Sequence, residues 1–278
     1  RLRPGDCEAR VTLALALEAT GRLPKALTIW KSLGRELLAA DPEDRYALVW
    51  LTHALELDPD DAALLGDVTR LTLALDGPEA ARPLCERWLR EVDGGATIPD
   101  ALDIYRFAVA NFGDFAWRQR LTSLLLKAGL NDEAADQLEE MLRLIGPEES
   151  DKARRHAILE QLMQLRPDSP EVRADLARSA LTLGRVRETV DQFRELATIY
   201  LGNGRTAAAL AMLEEALQAA PDDAELIDLV ARLHEELGQH DKALIAYLRL
   251  AEINRRQSDR SRNIPVLEKI LTLSPEDT

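Results

Sequence analysis

Residues 222–256 have the sequence DDAELIDLVARLHEELGQHDKALIAYLRLAEINRR, and this stretch decides the fold. From Ala224 to Gly238, apolar residues are spaced three and four apart, which is the period of an α-helix and not of a strand. Gly238 stops that helix, because glycine readily takes the left-handed conformation that ends many helices. A second helical pattern follows Gly238. The stretch therefore predicts two helices joined by a tight turn.

A fixed spacing that begins at a glycine recurs along the chain. The glycine is followed by a small residue five positions on, then by a large apolar residue four further on and another apolar residue three later. The small residue is alanine in four copies and Thr189 in the fifth. Alanine lets the second helix approach closely, and the large residues fill the groove between the helices. The copies span 21–33, 129–141, 184–196, 204–216 and 238–250.

This spacing resembles the tetratricopeptide repeat, a two-helix unit of about 34 residues that stacks into a superhelix. The resemblance covers most of the chain. It implies helical hairpins and a long groove in which such proteins typically bind peptides or partner domains. The copies are divergent: the family's tryptophan near the start of the first helix is missing from most of them. Its typical tyrosine is kept at Tyr200 but is replaced in other copies, for example by His234.

A longer period of 54 residues lies over the first. Aspartate begins each of five units, which are 6–59, 60–113, 114–167, 168–221 and 222–275. Each unit has room for three helices, and the leading aspartate is predicted to cap the first of them. Two arrangements remain open: a duplication laid over two-helix stacking, or three helices forming one layer as in armadillo-like folds. The first is favoured, because the glycine spacing occurs at both the first and the second joint of the units. The helices predicted over 186–202 and 240–256 would then each belong to two hairpins.

These patterns predict an all-α protein, a right-handed tetratricopeptide-like solenoid of about fifteen antiparallel helices without strands. The whole chain, 1–278, is expected to form one array with no internal domain boundary. Solenoids usually need a polar capping helix at each end, and neither end of the sequence provides one. We therefore expect the array to continue in both directions in a longer protein.

Composition argues against several classes of partner. The 278 residues include 49 acidic and 35 basic side chains, and the net charge is −14. Nucleic acids and anionic membranes both attract basic proteins, so neither is expected as the main partner. No apolar run is long enough for membrane insertion, and two cysteines are too few for a disulfide scaffold. A cytoplasmic location is expected unless an export signal precedes Arg1.

No motif points to catalysis, a metal or a cofactor. The strongest candidate, ATIYLGNGRTA at 197–207, resembles the strand, glycine loop and helix of a dinucleotide-binding turn. The same residues satisfy the repeat spacing, however, and no strand–helix–strand pattern surrounds them. His234 and His240 have no third ligand at metal-binding spacing. We therefore expect no enzyme activity, no cofactor and no bound metal.

Candidate partner-binding residues lie on the first helices of the units. Trp117 stands where other units have alanine or glutamate, so it is expected to be partly exposed and is a candidate hot spot. The alternative for Trp117 is local packing with Phe112 and Phe115. The remaining candidates are charged residues on the matching helix faces, namely Glu171, Arg178, Glu225, Asp228, Arg232 and Glu235. Four arginines, Arg255, Arg256, Arg260 and Arg262, are predicted to form an exposed basic loop.

The expected function is that of a protein–protein interaction scaffold or adaptor, with a peptide or partner protein bound in the solenoid groove. The acidic helix faces favour a basic or mixed-charge partner. Members of the family that clamp a chaperone carboxylate use asparagine on these faces, and its absence here argues against that ligand. Two alternatives remain: a sensor or regulatory arm of a larger enzyme or transcription regulator, and a scaffold of an envelope or secretion assembly.

Overall fold

The computed structural model describes residues 4–95, 97–145, 151–257 and 260–274. Fifteen α-helices account for most of these residues, and the described ranges contain no strand. The prediction of an all-α protein with about fifteen helices is confirmed. The helices are α1 (Pro4–Ala19), α2 (Leu23–Ala40), α3 (Arg45–Leu57), α4 (Ala62–Asp76), α5 (Pro78–Asp93), α6 (Ile98–Phe112), α7 (Phe115–Lys127), α8 (Asn131–Leu144), α9 (Lys152–Leu165), α10 (Pro170–Thr182), α11 (Val186–Gly202), α12 (Thr206–Ala219), α13 (Ala224–Glu236), α14 (His240–Arg256) and α15 (Arg260–Leu273).

Tight glycine turns join the helices wherever the sequence spacing predicts them. The glycines at 21, 129, 184, 204 and 238 all have φ between 68° and 73°, in the left-handed region. At the last of these turns, the N–H of Gln239 donates to the His234 carbonyl at 2.8 Å and the N–H of Gly238 donates to the Glu235 carbonyl at 3.0 Å. These bonds satisfy carbonyl groups that the end of α13 would otherwise leave unpaired. The predicted role of the glycines is confirmed.

The helix caps lie one residue later than predicted in three units. Asp223, not Asp222, caps α13. Its carboxylate accepts hydrogen bonds from the N–H groups of Glu225 and Leu226 at 3.0 and 3.1 Å. Asp61 and Ser169 likewise act in place of Asp60 and Asp168. A proline turn explains the shift: the Asp223 N–H donates to the Ala220 carbonyl at 3.2 Å, and this four-residue turn uses Pro221 and Asp222 as its central pair.

The other two predicted caps differ from each other. Asp114 caps α7 as predicted, accepting hydrogen bonds from the N–H groups of Ala116 and Trp117 at 2.9 and 3.2 Å. Gly113 ends α6 directly before it, so no proline turn intervenes. Asp6 is not a cap, because it lies within the first turn of α1.

The 54-residue period appears in the helix boundaries themselves. Helices α13, α14 and α15 begin and end 54 residues after α10, α11 and α12, and α12 follows α9 by the same interval. The predicted helices 186–202 and 240–256 are α11 and α14. Residues 54 apart are called equivalent below, and comparing them shows where one copy departs from the others.

The chain divides into two compact units, Arg1–Gln137 and Leu138–Thr278, here called unit 1 and unit 2. In unit 1, Trp30 and Trp88 are among the buried side chains, and the Trp88 ring lies directly against the bare backbone of Gly66. The single array over 1–278 stays a prediction. Pro275, the predicted end of the last 54-residue unit, lies outside the described residues.

Two core clusters hold unit 2 together. The first joins α10, α11, α12 and α13 and includes Phe193, Leu213 and Val230. The second joins α13, α14 and α15 through residues such as Tyr247 and Val266. Helix α13 belongs to both clusters because opposite sides of its apolar surface face different neighbours.

Ion pairs in unit 2 also join alternate helices. Arg178 of α10 pairs with Glu215 of α12. Arg194 of α11 pairs with Glu225 of α13 at 3.5 Å. Helices α10 and α11 thus each contact the second helix along as well as the immediate neighbour. This favours a duplication laid over two-helix stacking as the meaning of the 54-residue period.

His156 interrupts the apolar core of the repeat. Two of its equivalents are Leu102 and Leu210, and all three side chains are buried. The His156 Nε2 lies 2.8 Å from Arg185 Nη1 and 3.1 Å from a carboxylate oxygen of Glu188. Its Nδ1 is buried and has no hydrogen-bond partner in the described part of the chain. A buried nitrogen left in this state costs about 1–3 kcal/mol.

We predict that His156→Leu raises the free energy of unfolding by about 1 kcal/mol, because it removes the unpartnered nitrogen and restores the residue of the equivalent positions. Urea denaturation followed by circular dichroism measures the change. The reciprocal variant, Leu210→His, is the matched control and should be destabilising. A loss of stability in His156→Leu would show that the histidine network outweighs the cost of the buried nitrogen.

Candidate partner-binding groove

A groove of about 820 Å³ lies between α13 and α15, with α14 as its floor. Helix α13 forms one wall and α15 the other. All three helices belong to unit 2. The lining residues are Ala224, Glu225, Asp228 and Arg232 from α13, Tyr247, Leu250 and Asn254 from α14, and Arg262, Pro265, Val266, Glu268, Lys269 and Thr272 from α15.

The position of α13 follows from its sequence. Leu226 and Val230 pack in the cluster shared with α12, and Ile227 packs in the cluster shared with α14 and α15. With both apolar sides occupied, the remaining face carries charge, and Asp228 and Arg232 stand one helical turn apart on it. The same amphipathic pattern that buries α13 therefore places its charged residues along the groove.

The charges of the groove lining are balanced. Glu225, Asp228 and Glu268 face the same space as three cations, Arg232, Arg262 and Lys269. Arg232 also donates a hydrogen bond to Asp228 on its own helix. The groove therefore lacks the acidic excess of the whole chain.

Glu235 joins the two walls near the end of α13. It accepts hydrogen bonds from Lys269 Nζ at 2.7 Å and from the Tyr247 hydroxyl at 3.0 Å. The bond from Lys269 is the main reason that the pKa of Glu235 is lowered. Burial, followed by the bond to Glu235, raises the pKa of Tyr247. Tyr247 is therefore a neutral donor, held in place at the floor of the groove.

Comparison with the preceding copy shows which contact between α13 and α15 is missing. Arg178 of α10 donates two hydrogen bonds of 2.9 Å to Glu215 of α12, a forked pair that raises the pKa of Arg178. The equivalents of these residues are Arg232 and Lys269. Two cations cannot form such a pair. Helices α13 and α15 therefore lack, at this position, the ion pair that joins α10 to α12.

The floor of the groove is apolar except for one amide. Tyr247, Leu250 and Val266 are buried there. Asn254 is only 2% exposed, and its side chain lies in the groove lining. A buried amide costs free energy unless it is hydrogen-bonded. Its place in the groove lining makes it available to a polar group of a bound chain.

A second depression of about 680 Å³ continues the groove toward α11. It shares Ala224, Glu225 and Arg262 with the first. Two arginines of α11, Arg187 and Arg194, line it together with Asp191 and Asp223, so its charges are balanced as well. The two depressions together form an elongated surface that suits an extended chain better than a compact small molecule.

The structure brings together four of the seven predicted site residues. Glu225, Asp228 and Arg232 line the groove, and Glu235 supports it through Lys269 and Tyr247. Glu171 and Arg178 lie on α10 and do not line this groove. Trp117 belongs to unit 1.

Trp117 is half-buried in a small aromatic group on unit 1. Its ring meets Phe112 edge to face, with centroids 5.6 Å apart. The Arg82 guanidinium lies 5.2 Å from the Trp117 ring centroid, within range of a cation–π interaction. This environment favours the local-packing alternative for Trp117, and its role as a hot spot stays a prediction.

Sequence reasoning missed the residues that α15 contributes to the groove. The predicted basic loop is wrong: Arg255 and Arg256 form the last turn of α14, and Arg260 and Arg262 belong to α15. The loop appeared long because no glycine marks the turn between these helices. The sequence did contain a signal for this wall. Lys269 is equivalent to Glu215, so the charge at this position is reversed between the two copies.

One cluster in the described residues has the composition of a metal site. Ligand atoms of His156, Glu160 and Glu188 lie within 4.8 Å of one another. Arg185 already provides a cation to the cluster, with its Nη1 3.3 Å from Glu188. The arginine compensates the two carboxylates, so the cluster is explained as an ion-pair network, and we assign no metal to it.

The apparent dinucleotide-binding motif is not preceded by a strand. Residues 197–201, which the motif requires to be a strand, lie within α11. Gly204 ends the turn between α11 and α12, in keeping with its place in the repeat. Among the described residues, no helix has the length and apolar character needed to span a bilayer.

Comparisons with known proteins agree with these features. Residues 200–262 match the family model described as tetratricopeptide repeat. A search of curated proteins finds no match. The match to the family model covers α12, α13 and α14, including the glycine turns at Gly204 and Gly238.

Three solved structures are similar to the chain at low identity. The crystal structure of MamA is 16% identical, covering 61% of this chain and 95% of that chain, with a TM-score of 0.29. The P58(IPK) TPR domain is 14% identical over 97% and 98%, with a TM-score of 0.26. The TPR2AB domain of yeast Sti1, in complex with pHSP90, is 10% identical over 98% and 100%, with a TM-score of 0.31. At TM-scores this low, the similarity gives no information about the geometry of the groove. The family match over residues 200–262 and the glycine-ended helical hairpins agree with the predicted tetratricopeptide-like repeat.

Proposed function

We propose that this protein is a protein–protein interaction module that binds an extended peptide segment of a partner in the groove between α13 and α15. The observation that carries the proposal is the groove itself, with its apolar floor, charged walls and buried Asn254 amide. Main-chain groups of an extended peptide can satisfy that amide, while its side chains contact Tyr247 and Leu250 on the floor.

The balanced lining indicates the chemistry of the peptide. Three acidic and three basic residues face the bound segment, so a peptide with both signs of charge matches them better than a purely basic one. The acidity of the helix faces predicted a basic or mixed-charge partner, and the balanced lining supports the mixed-charge alternative for this groove. Nucleic acid remains an unfavourable partner because the chain carries a net charge of −14.

We propose no catalytic role for this protein. The groove contains no nucleophile paired with a base, and its charged residues are suited to reversible binding. Two wider settings remain proposals: a regulatory arm of a larger enzyme or transcription regulator, and a scaffold of an envelope or secretion assembly. In either setting, the groove would supply the contact with the partner. A cytoplasmic location also stays a prediction.

The groove can be tested with a library of random peptides displayed on phage. We expect the immobilised protein to select mixed-charge peptides, and Glu225→Lys to weaken their binding about tenfold, equivalent to ~1.4 kcal/mol. Glu171→Lys is the matched control, because Glu171 is the equivalent exposed residue in the first turn of α10 and lies outside the groove. Fluorescence anisotropy measures both affinities. Equal weakening by the two substitutions, or no selected peptide, would contradict the proposal.

The absence of an ion pair between positions 232 and 269 gives a second prediction. Lys269→Glu restores the charge of Glu215, so we expect Arg232 to pair across the groove and peptide affinity to fall by about tenfold or more. Lys269→Gln removes the positive charge without supplying a carboxylate and should cause a smaller loss. The same anisotropy assay compares the two variants. If both lose affinity equally, the effect comes from Lys269 itself and not from closure of the groove.

Trp117 provides a contrasting prediction. Because its ring packs with Phe112 and Arg82, Trp117→Ala should lower the free energy of unfolding by about 2 kcal/mol. The affinity for peptides selected on the groove should not change, since Trp117 does not line it. Chemical denaturation and anisotropy measure the two quantities. A lower affinity without a loss of stability would instead establish Trp117 as a hot spot for those peptides.

A further inference from the structure

An aromatic face of α3 lies open in unit 1. Tyr46 and Val49 on this face are 70% and 59% exposed, and Trp50 beside them is half-buried. The Trp50 ring centroid lies 6.4 Å from that of Tyr46 and 6.5 Å from that of the buried Trp30. The neighbours of α3 along the chain, α1, α2, α4 and α5, all belong to unit 1 and are described. They leave this face uncovered.

His53, about one turn further along the same face, lies between two carboxylates. Its Nε2 is 3.1 Å from Glu18, and its Nδ1 is 3.4 Å from Glu56. Its ring meets Trp30 edge to face, with centroids 5.2 Å apart, and the indole N–H of Trp30 also donates a hydrogen bond to Glu18. Within the described ranges, neither carboxylate pairs with a lysine or an arginine. The aromatic face therefore has negative charge beside it.

The corresponding carboxylate in unit 2 does pair with a cation. Glu235 lies three residues before its turn glycine, as Glu18 does. It accepts a hydrogen bond from the buried Tyr247 hydroxyl at 3.0 Å and pairs with Lys269 at 2.7 Å. The residue equivalent to Lys269 is His53. The first copy thus keeps the carboxylate and a buried aromatic donor but has no ammonium group at this place.

An arginine covers the aromatic pair of the next copy. Arg70 of α4 lies 5.0 Å from the Trp88 ring centroid and 5.7 Å from that of Phe107 on α6. The residue equivalent to Phe107 is His53, and the residue equivalent to Arg70 is Ala16 of α1. Helices α10 and α13 also carry arginine at this position. Because alanine is too short to reach the rings on α3, the first copy lacks the arginine that covers the aromatic pair in the second.

We propose that this face of α3 binds an arginine side chain of a partner protein. The guanidinium lies over the Trp50 ring, where a cation–π interaction stabilises it, and it donates hydrogen bonds to Glu18. Arginine suits the site better than lysine, because its planar guanidinium stacks on a ring and also donates in a fork. Tyr46 and Val49 contact the neighbouring residues of the partner. The site belongs to unit 1, so it is separate from the groove of unit 2 and does not depend on peptide binding there.

The site can first be filled from within the chain. Ala16→Arg introduces the residue found at this position in three other copies, and we expect it to raise the urea midpoint, because its guanidinium reaches the α3 rings and Glu18. Ala16→Gln is the matched control, since glutamine is long and polar but uncharged, and it should give no increase. Adding Glu18→Gln to Ala16→Arg should remove most of the gain. An equal midpoint in Ala16→Arg and Ala16→Gln would overturn the proposal.

A displayed library of short peptides with one fixed arginine tests binding by a separate chain. Peptides that bind the Ala16→Arg variant are removed first, which discards those held by the groove of unit 2. The remainder are selected on the unchanged protein at about pH 8, where histidine side chains are ordinarily neutral. We expect affinity to fall by about tenfold or more when the fixed arginine is replaced by citrulline, which has nearly the same shape and no charge. Fluorescence anisotropy measures the affinities.

Substitutions in the protein locate the binding. Trp50→Leu and Glu18→Gln should each weaken the selected peptides by about tenfold, with circular dichroism confirming that both variants are folded. Trp117→Leu is the matched control, because Trp117 is also half-buried but already has Arg82 over its ring, and it should leave the affinity unchanged. Equal binding of the citrulline peptides, equal losses in Trp50→Leu and Trp117→Leu, or no selected peptide would overturn the proposal. Self-association that is lost in Trp50→Leu would identify a second copy of the chain as the source of the arginine and would also overturn it.

Discussion

The left-handed glycine turn is the constraint on which the rest of this structure depends. It reverses the chain within a few residues, so the helix after the glycine must lie against the helix before it. Gly204 brings α12 against α11, and Gly238 brings α14 against α13, so that each pair shares a core cluster. A turn of different length would rotate these faces away from their partners. The regular turns therefore fix which residues are core and which are left for contact.

Because the same helix geometry recurs every 54 residues, equivalent positions can be compared within one molecule. Arg178 and Glu215 form a forked ion pair, and the equivalent Arg232 and Lys269 cannot. The backbone positions are the same, so the difference lies in one reversed charge. Similarly, His156 stands where equivalent positions hold leucine. Departures of this kind cost the local packing or pairing that the other copies retain.

The helices could be predicted from the sequence, but the starting residues of several helices and one wall of the groove could not. Helices α11 and α14 were predicted within their observed bounds, because glycine spacing and apolar period agree there. The cap at Asp223 was missed because a proline turn, and not the first acidic residue, decides where α13 starts. The α13 wall of the groove could be predicted from its charged face. The α15 wall could not, since no glycine turn marks its beginning at Arg260 and the arginines there have the pattern of a loop.

The acidity of the chain illustrates why composition alone could not define the partner. Some acidic residues cap helices: Asp114 and Asp223 accept hydrogen bonds from backbone N–H groups at the starts of α7 and α13. Others are committed to ion pairs, as Glu215 is with Arg178. What remains in the groove is an equal number of acidic and basic residues. In the proposed binding mode, a partner would be selected by the order of its charges along the chain, because attraction to a net charge would not distinguish one alignment from another.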